Sequence, residues 1–131
     1  MATSSLTDLA GRVLAERYRL RAPIGAGASG QVYLADDSRL RRRVAVKVLH
    51  AALADDVGFL RRFRSEAQVA ASLHHPNIVA VYDWGEDGVP FMVLELLEGG
   101  SLRSMLDRSV RLTPAQATHV GRQVCLSLIH I

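Results

Sequence analysis

A run of three glycines lies between two strand-like segments and limits how this chain can fold. The run is Gly25-Ala26-Gly27-Ala28-Ser29-Gly30, and the β-branched and aromatic stretch Gln31–Ala35 follows it with no helical period. Glycines at this spacing let backbone N–H groups approach a phosphate, because no Cβ keeps the ligand away. The pattern predicts two antiparallel strands joined by a glycine loop that covers a phosphate-bearing ligand.

Two other nucleotide-binding patterns contain similar glycines, and neither fits. In a dinucleotide-binding fold a helix follows the loop and an acidic residue comes ~20 residues later. Here a strand-like segment follows, and Asp36 and Asp37 come too early. A Walker loop would end in Gly-Lys-Ser or Gly-Lys-Thr, which is absent from this run.

The single lysine of the chain, Lys47, ends the strand-like run Val44-Ala45-Val46-Lys47, while all other basic side chains except the histidines are arginines. A strand period of two puts Ala45 and Lys47 on one face and Val44, Val46 and Val48 on the other. A planar base could lie over the small side chain of Ala45 while the compact ammonium of Lys47 reaches the phosphates attached to that base. The alternative, an ordinary hairpin whose lysine extends into solvent, explains neither the single lysine nor the glycines.

Residues 55–73 are predicted to form an amphipathic helix, with a carboxylate on its apolar side. Four apolar residues share that side at helical spacing: Phe59, Phe63, Ala67 and Ala70. Glu66 lies there too, and a carboxylate on an apolar face is costly unless it is paired. Lys47 is the expected partner, and a solvated Glu66 at the edge of the stripe is the alternative.

Further strands and helices are predicted after this helix. They are a strand at 78–82, a hairpin turn at Asp87-Gly88, a strand at 91–95, a break at Gly99-Gly100 before a short helix, and a long helix with Thr113 as N-cap, Pro114 in its first turn and Gln116 completing a capping box.

Five motifs then occur in order, namely IGAGASGQV, VAVK, the glutamate of RFRSEA, HHPNIV and VLELLEGGSL. With them, residues 17–125 resemble the amino-terminal lobe of a bacterial, eukaryotic-like serine/threonine protein kinase. The resemblance implies an α+β fold with a five-stranded antiparallel sheet and one long helix, followed by the hinge and first helices of a truncated helical C-lobe. The implied organisation is a leader at 1–16, an ATP-binding N-lobe at 17–95, and the hinge and start of the C-lobe at 96–125.

The resemblance also implies a role for each matching residue. Lys47 would hold the α- and β-phosphates of ATP, and Glu66 would hold Lys47. The remaining implied ATP contacts are the glycine loop (Gly25, Ala26, Gly27, Ala28, Ser29, Gly30), the adenine pocket (Ile24, Val32, Ala45), a gatekeeper (Leu94), hinge backbone groups (Glu95, Leu97) and a ribose contact (Ser101).

The activity implied for the parent protein is ATP- and Mg²⁺-dependent phosphorylation of serine and threonine on protein substrates, with autophosphorylation or dimerisation. The family's HRD catalytic loop and DFG motif, which supply the catalytic aspartate and the metal ligands, are absent from the 131 residues, so the fragment alone is expected to be inactive. Two alternatives stay open, a pseudokinase or nucleotide-binding scaffold without catalysis, and an unrelated small α+β binding module. The last would tolerate Lys47→Met in an ATP-binding assay.

The last six residues, 126–131, read LSLIHI. The same hexapeptide arises when a commonly used transposon-type sequencing adaptor is translated in one frame, so we hypothesise that this tail is not native. The alternative is an apolar continuation of the preceding helix, which its composition allows.

Composition is consistent with a cytoplasmic kinase domain whose parent is anchored to a membrane, if at all, through segments outside this sequence. A single cysteine rules out an internal disulfide, and no apolar run reaches the ~18 residues of a membrane span. Arg41, Arg42 and Arg43 lie in a predicted turn, and Arg61, Arg62 and Arg64 lie on the predicted helix. Arginines in such places are expected to be solvated or paired along the helix face, so no nucleic-acid binding is expected. Of the five histidines, His74 and His75 are adjacent and the other three are scattered, and no cysteine pair accompanies them, so no metal site is expected.

Overall fold

An antiparallel sheet with a long helix on one face dominates the fold. The computed structural model describes residues 8–27, 30–109 and 111–129. Its strands, within those ranges, are β1 (Val13–Leu14), β2 (Tyr18–Ala26), β3 (Gly30–Asp37), β4 (Arg42–Leu49), β5 (Val81–Glu86) and β6 (Pro90–Leu94), in the sheet order β1-β2-β3-β4-β6-β5. Its helices are α1 (Ala51–Ala54), α2 (Val57–Ala71), α3 (Leu102–Ser109) and α4 (Pro114–Ile129).

The α+β architecture predicted from the sequence is confirmed, but the predicted number of strands is wrong. Six strands, not five, form the sheet of the described residues, because β1 pairs with the start of β2 through Val13–Arg19 and Leu14–Tyr18. Leu14 is fully buried in the core. A two-residue strand is too short to show an alternating pattern, so the sequence gives no sign of it. Part of the predicted leader thus packs against the sheet.

The sheet has an apolar cluster on each face. One cluster joins Leu14 to alternate residues of four longer strands, β2, β3, β4 and β6, namely Tyr18, Leu20, Tyr33, Ala35, Val44, Val46, Val48, Phe91 and Val93. The other places Leu49 and Met92 against Phe63 and Ala67 of α2. The alternation predicted for β4 is therefore confirmed, with its three valines together on the face opposite α2.

Helix α2 begins after Asp56, whose side-chain oxygen accepts hydrogen bonds from the N–H groups of Gly58 and Phe59. An aspartate at this position satisfies N–H groups that have no partner within the helix. Of the predicted apolar stripe, Phe63 and Ala67 are buried. The helix is shorter at both ends than the predicted range 55–73, and α1, which precedes it, was not predicted.

Two of the predicted strands differ from the structure. The sequence predicts that Tyr18, Leu20, Ala22 and Ile24 alternate onto one face before the glycine loop. On β2 only Tyr18 and Leu20 are buried. Ala22 and Ile24 are exposed, because the register with β3 shifts after Leu20 and again after Pro23. The strand expected at 78–82 begins only at Val81 and continues to Glu86. The predicted turn is confirmed, with Gly88 at a φ of 73°.

The capping box predicted for the long second helix is confirmed. The Thr113 N–H donates to Gln116 Oε1 at 2.9 Å, and the Gln116 N–H donates to Thr113 Oγ1 at 3.2 Å. Helix α4 starts at Pro114. Proline fits the first helical position because an N–H there would have no partner within the helix. No helix of the described residues is both long and apolar enough to cross a membrane. Residues 130 and 131 of the predicted non-native tail lie outside the described residues.

A buried ion pair joins the start of β2 to the end of β3. The Arg17 guanidinium binds both carboxylate oxygens of Asp37 at 2.8 Å, and Asp37 is only 1% exposed. Asp37 Oδ1 also accepts from the N–H groups of Arg39 and Leu40 in the turn that follows. The Arg17 hydrogen bonds lower the pKa of Asp37 to about 2, against the opposing effect of burial.

Candidate nucleotide-binding site

The glycine loop connects β2 to β3 as predicted. The Gly27 N–H donates to the Gly30 carbonyl at 2.9 Å, and Gly25 lies opposite Val32 in the antiparallel register. Ala28 and Ser29, at the tip, lie outside the described residues. The two strands therefore bring the glycine backbone over the same end of the sheet as Lys47.

The three glycines have different surroundings. A Cβ on Gly30 would lie 2.2 Å from the carbonyl oxygen of Val48, a distance that no side chain tolerates. A Cβ on Gly25 or Gly27 would meet no atom of the described residues within 4 Å. Gly30 thus lets β3 pack against β4, whereas Gly25 and Gly27 border open space that a ligand can enter.

Lys47 lies directly opposite Val32 on β3 and Met92 on β6. Directly opposed residues share a face of the sheet, and Met92 belongs to the apolar cluster under α2. The lysine side chain is half-buried, and it forms no hydrogen bond or ion pair with any described residue. Its charge is therefore available to an anionic ligand.

Glu66 is not brought to Lys47 in this structure. Its side chain is exposed on α2, and among the described residues no nitrogen–oxygen contact within 4.0 Å joins it to the lysine. On the same helix Arg64 pairs instead with Glu86 of β5, at 3.1 Å. The predicted Lys47–Glu66 pair stays a prediction, and it requires a different position of α2 or of the side chains.

The residues expected around adenine lie on neighbouring strands. Ala45 is buried and faces Leu94, its partner in the β4–β6 register. Val32 is half-buried on β3, and Ile24 is 52% exposed beside the glycine loop. An open apolar surface of this kind can receive one face of a planar base.

Of the backbone groups that follow β6, those of Leu97 remain available to a ligand, whereas the N–H of Glu95 is already bonded. The Glu95 N–H donates to the Ala80 carbonyl at 2.9 Å, and Glu95 Oε1 accepts from the Ala80 N–H. These bonds fix the chain where it leaves the sheet. The Leu97 backbone takes part in no hydrogen bond within the described ranges, and the residue is 59% exposed. Ser101 caps α3 by accepting from the Ser104 N–H, so its predicted ribose contact would have to share that oxygen.

One contact at the loop was missed from the sequence. His50 Nε2 lies 3.1 Å from the carbonyl oxygen of Gly27, which joins the loop to the end of β4. No motif marks this residue, and its place three positions after Lys47 is the one feature that could have drawn attention to it. No group of three or more metal-ligating side chains occurs among the described residues.

Comparison with known proteins agrees with this geometry. The sequence profile of the protein kinase domain matches residues 18–131. The chain belongs to the protein kinase family. The serine/threonine-protein kinase PrkC of Bacillus subtilis is 42% identical over 123 residues, which make up 93% of this chain and 19% of that kinase. PknB of Mycobacterium tuberculosis is 46% identical over 120 residues, or 88% of this chain and 19% of that protein.

Solved protein kinase structures show the same fold. The crystal structure of the Mycobacterium tuberculosis PknI kinase domain superposes with a TM-score of 0.76 at 34% identity, covering 92% of this chain and 49% of that chain. This protein kinase chain therefore spans about a fifth of the length of the curated relatives it matches and about half of a solved kinase domain. The predicted resemblance to bacterial serine/threonine kinases is confirmed.

Proposed function

We propose that the intact protein, meaning the whole gene product that contains these 131 residues, transfers the γ-phosphoryl group of ATP to serine and threonine hydroxyls of proteins. The observation that carries the proposal is the placement of Lys47. Lys47 is half-buried and unpaired among the described residues. It lies on β4, next to the strand β3 that follows the glycine loop, and the first two glycines of that loop border open space. The names of the kinase relatives support the same class of acceptor.

Each part of the site has a task in this proposal. Ala45, Val32 and Ile24 hold the adenine by apolar contact, and the Leu97 backbone hydrogen-bonds its edge. Lys47 binds the α- and β-phosphates as a compact cation, and the N–H groups of the glycine loop bind them from the other side. The chain thereby orients ATP so that its terminal phosphate points away from the hinge.

Phosphoryl transfer depends mainly on position and on neutralised charge, because little covalent chemistry falls to the protein. Mg²⁺ bound to ATP neutralises part of the phosphate charge, and Lys47 adds a fixed positive charge. Neither His-Arg-Asp nor Asp-Phe-Gly occurs in the 131 residues. We place the catalytic base and the metal ligands in other parts of the intact protein, and the reaction in the cytoplasm, where ATP is supplied.

Glu66 completes the proposed site in the active state. Its pairing with Lys47 would fix the ammonium over the phosphates, as the family mechanism requires. Helix α2 packs on the sheet through the buried Phe63 and Ala67 and the partly buried Leu60, and its exposed Arg64 pairs with Glu86. An exposed pair contributes at most about 1 kcal/mol, so the Arg64–Glu86 pair opposes a displacement of the helix only weakly.

ATP binding to the intact protein tests the proposal, with Lys47→Met against wild type. Losing a charged hydrogen bond costs about 1.5–3 kcal/mol, so Lys47→Met should weaken ATP binding about 10- to 100-fold. Arg19→Met, an exposed basic residue on β2, is the matched control and should bind ATP as wild type does. Equal ATP affinity in all three proteins would contradict the site. Normal ATP binding without phosphate transfer would indicate a nucleotide-binding scaffold.

A further inference from the structure

We propose that His50 is a positioning residue that holds the glycine loop ready for the phosphate groups of ATP. The inference rests on the proposed function, since it concerns how the same site receives its substrate. It starts from one contact, the 3.1 Å approach of His50 Nε2 to the Gly27 carbonyl oxygen.

The chemistry of this contact defines which atom holds the proton. A carbonyl oxygen only accepts, so Nε2 carries the hydrogen and donates it. The neutral tautomer protonated at Nε2 and the imidazolium both meet that condition. The hydrogen bond therefore does not require His50 to be charged.

The His50 ring makes no other hydrogen bond or ion pair with the described residues. Helix α1 begins after His50, but its first turn is capped by the His50 backbone carbonyl, which accepts from the N–H groups of Leu53 and Ala54. The side chain makes no capping hydrogen bond. Replacing the ring therefore leaves the start of α1 intact.

Both sides of the loop are anchored to the same end of β4. Gly30 packs against the Val48 carbonyl, and Gly27 is joined to Gly30 by a backbone hydrogen bond and to the chain after β4 by His50. Lys47 lies on this strand, three residues before His50. The positions of Gly27 and Gly30 relative to Lys47 are thus set by contacts that exist without ligand.

Such anchoring lowers the conformational entropy that the loop loses when a ligand binds. The benefit depends on what the ligand touches. ATP carries phosphates that reach the loop, whereas adenosine occupies only the adenine and ribose positions. Loss of the His50 contact should therefore weaken ATP binding and leave adenosine binding unchanged.

Two substitutions separate the hydrogen bond from the shape of the ring. His50→Phe keeps a ring of similar size without a donor, and His50→Gln keeps a side-chain N–H of similar reach. His119→Ala, on the exposed surface of α4, is the control for an unrelated histidine. The affinities of ATP and of adenosine for the intact proteins are measured by isothermal titration calorimetry, and the melting temperature checks folding.

We expect His50→Phe to weaken ATP binding about fivefold, the equivalent of one neutral hydrogen bond of about 1 kcal/mol, with unchanged adenosine affinity. His50→Gln should restore most of the ATP affinity. Equal losses for ATP and adenosine, or no loss in either variant that folds, would overturn the assignment. If wild type binds adenosine but not ATP, or neither, the proposed function itself fails and this inference fails with it.

Discussion

Gly30 and Val48 are packed so closely that a Cβ on the glycine would lie 2.2 Å from the valine carbonyl oxygen. The contact joins β3 to β4 directly below the loop. The glycine run therefore serves two needs at once, since its last member permits sheet packing and its first two border the ligand space. Replacing a glycine of the run with alanine should therefore affect stability at Gly30 and ligand binding at Gly27.

Gly30→Ala should lower the melting temperature of the intact protein, because the strands must move apart to admit the methyl group. We expect a loss of about 1–3 kcal/mol in the free energy of unfolding, as for other overpacked sites. Gly27→Ala should leave this free energy within about 0.5 kcal/mol of wild type but weaken ATP binding, since its new methyl group lies in the ligand space. A destabilised Gly27→Ala with unchanged ATP affinity would contradict this division.

The Arg17–Asp37 pair should dominate the stability of the β2–β3 end of the sheet. Asp37→Ala leaves a largely buried guanidinium and two turn N–H groups without their acceptor, so we expect a loss of about 3 kcal/mol in urea denaturation. Asp36→Ala is the matched control, because its pair with Arg21 is solvent-exposed and contributes at most about 1 kcal/mol. Equal effects of the two substitutions would show that burial is not what matters here.

Acid should remove the contribution of Asp37 in a defined pH range. The folded-state pKa of Asp37 is lowered to about 2, below the ~3.9 of an unfolded chain. The carboxylate therefore stabilises the fold fully above pH ~4, and the contribution is lost as pH falls towards 2. The contribution to the free energy of unfolding is on the order of 2 kcal/mol. When this free energy is measured by urea denaturation between pH 2 and 6, it should change less with pH in Asp37→Asn than in wild type. Identical slopes would exclude Asp37 as the source.

Glu66 should matter for catalysis and not for stability. The Glu66 side chain is exposed and forms no ion pair among the described residues. The free energy of unfolding of Glu66→Gln should therefore lie within about 0.5 kcal/mol of the wild-type value. If it pairs with Lys47 in the active state, phosphorylation by the intact protein should fall about tenfold or more. Asp107→Asn, an exposed carboxylate on α3, serves as the control. An unchanged rate in Glu66→Gln would remove Glu66 from the proposed site.

Features defined by near neighbours in the sequence were predictable. The glycine loop, the facing of Lys47 and the Thr113–Gln116 capping box all follow from spacings of a few residues, and the structure contains each of them. Part of the α2 stripe followed from helical period, since Phe63 and Ala67 are buried, but Phe59 and Glu66 are exposed. A period of 3.6 places a residue on a helix but does not fix where the helix lies on its sheet.

What was missed depends on contacts between distant segments. The strand Val13–Leu14 owes its place to pairing with β2, and the exposure of Ile24 follows from register shifts that no local pattern records. The Arg17–Asp37 pair appears only once β2 and β3 are aligned, since Tyr18 then lies opposite Asp37. His50 likewise meets Gly27 across 23 residues.

The most direct test of the proposed kinase activity is transfer of label from γ-³²P-ATP to protein by the intact protein, followed by phosphoamino-acid analysis, in wild type and Lys47→Met. The account predicts labelled phosphoserine or phosphothreonine from wild type and a loss of most of that label in Lys47→Met, with unchanged folding. Label that is unaffected by Lys47→Met, or no label from a wild type that binds ATP, would contradict it.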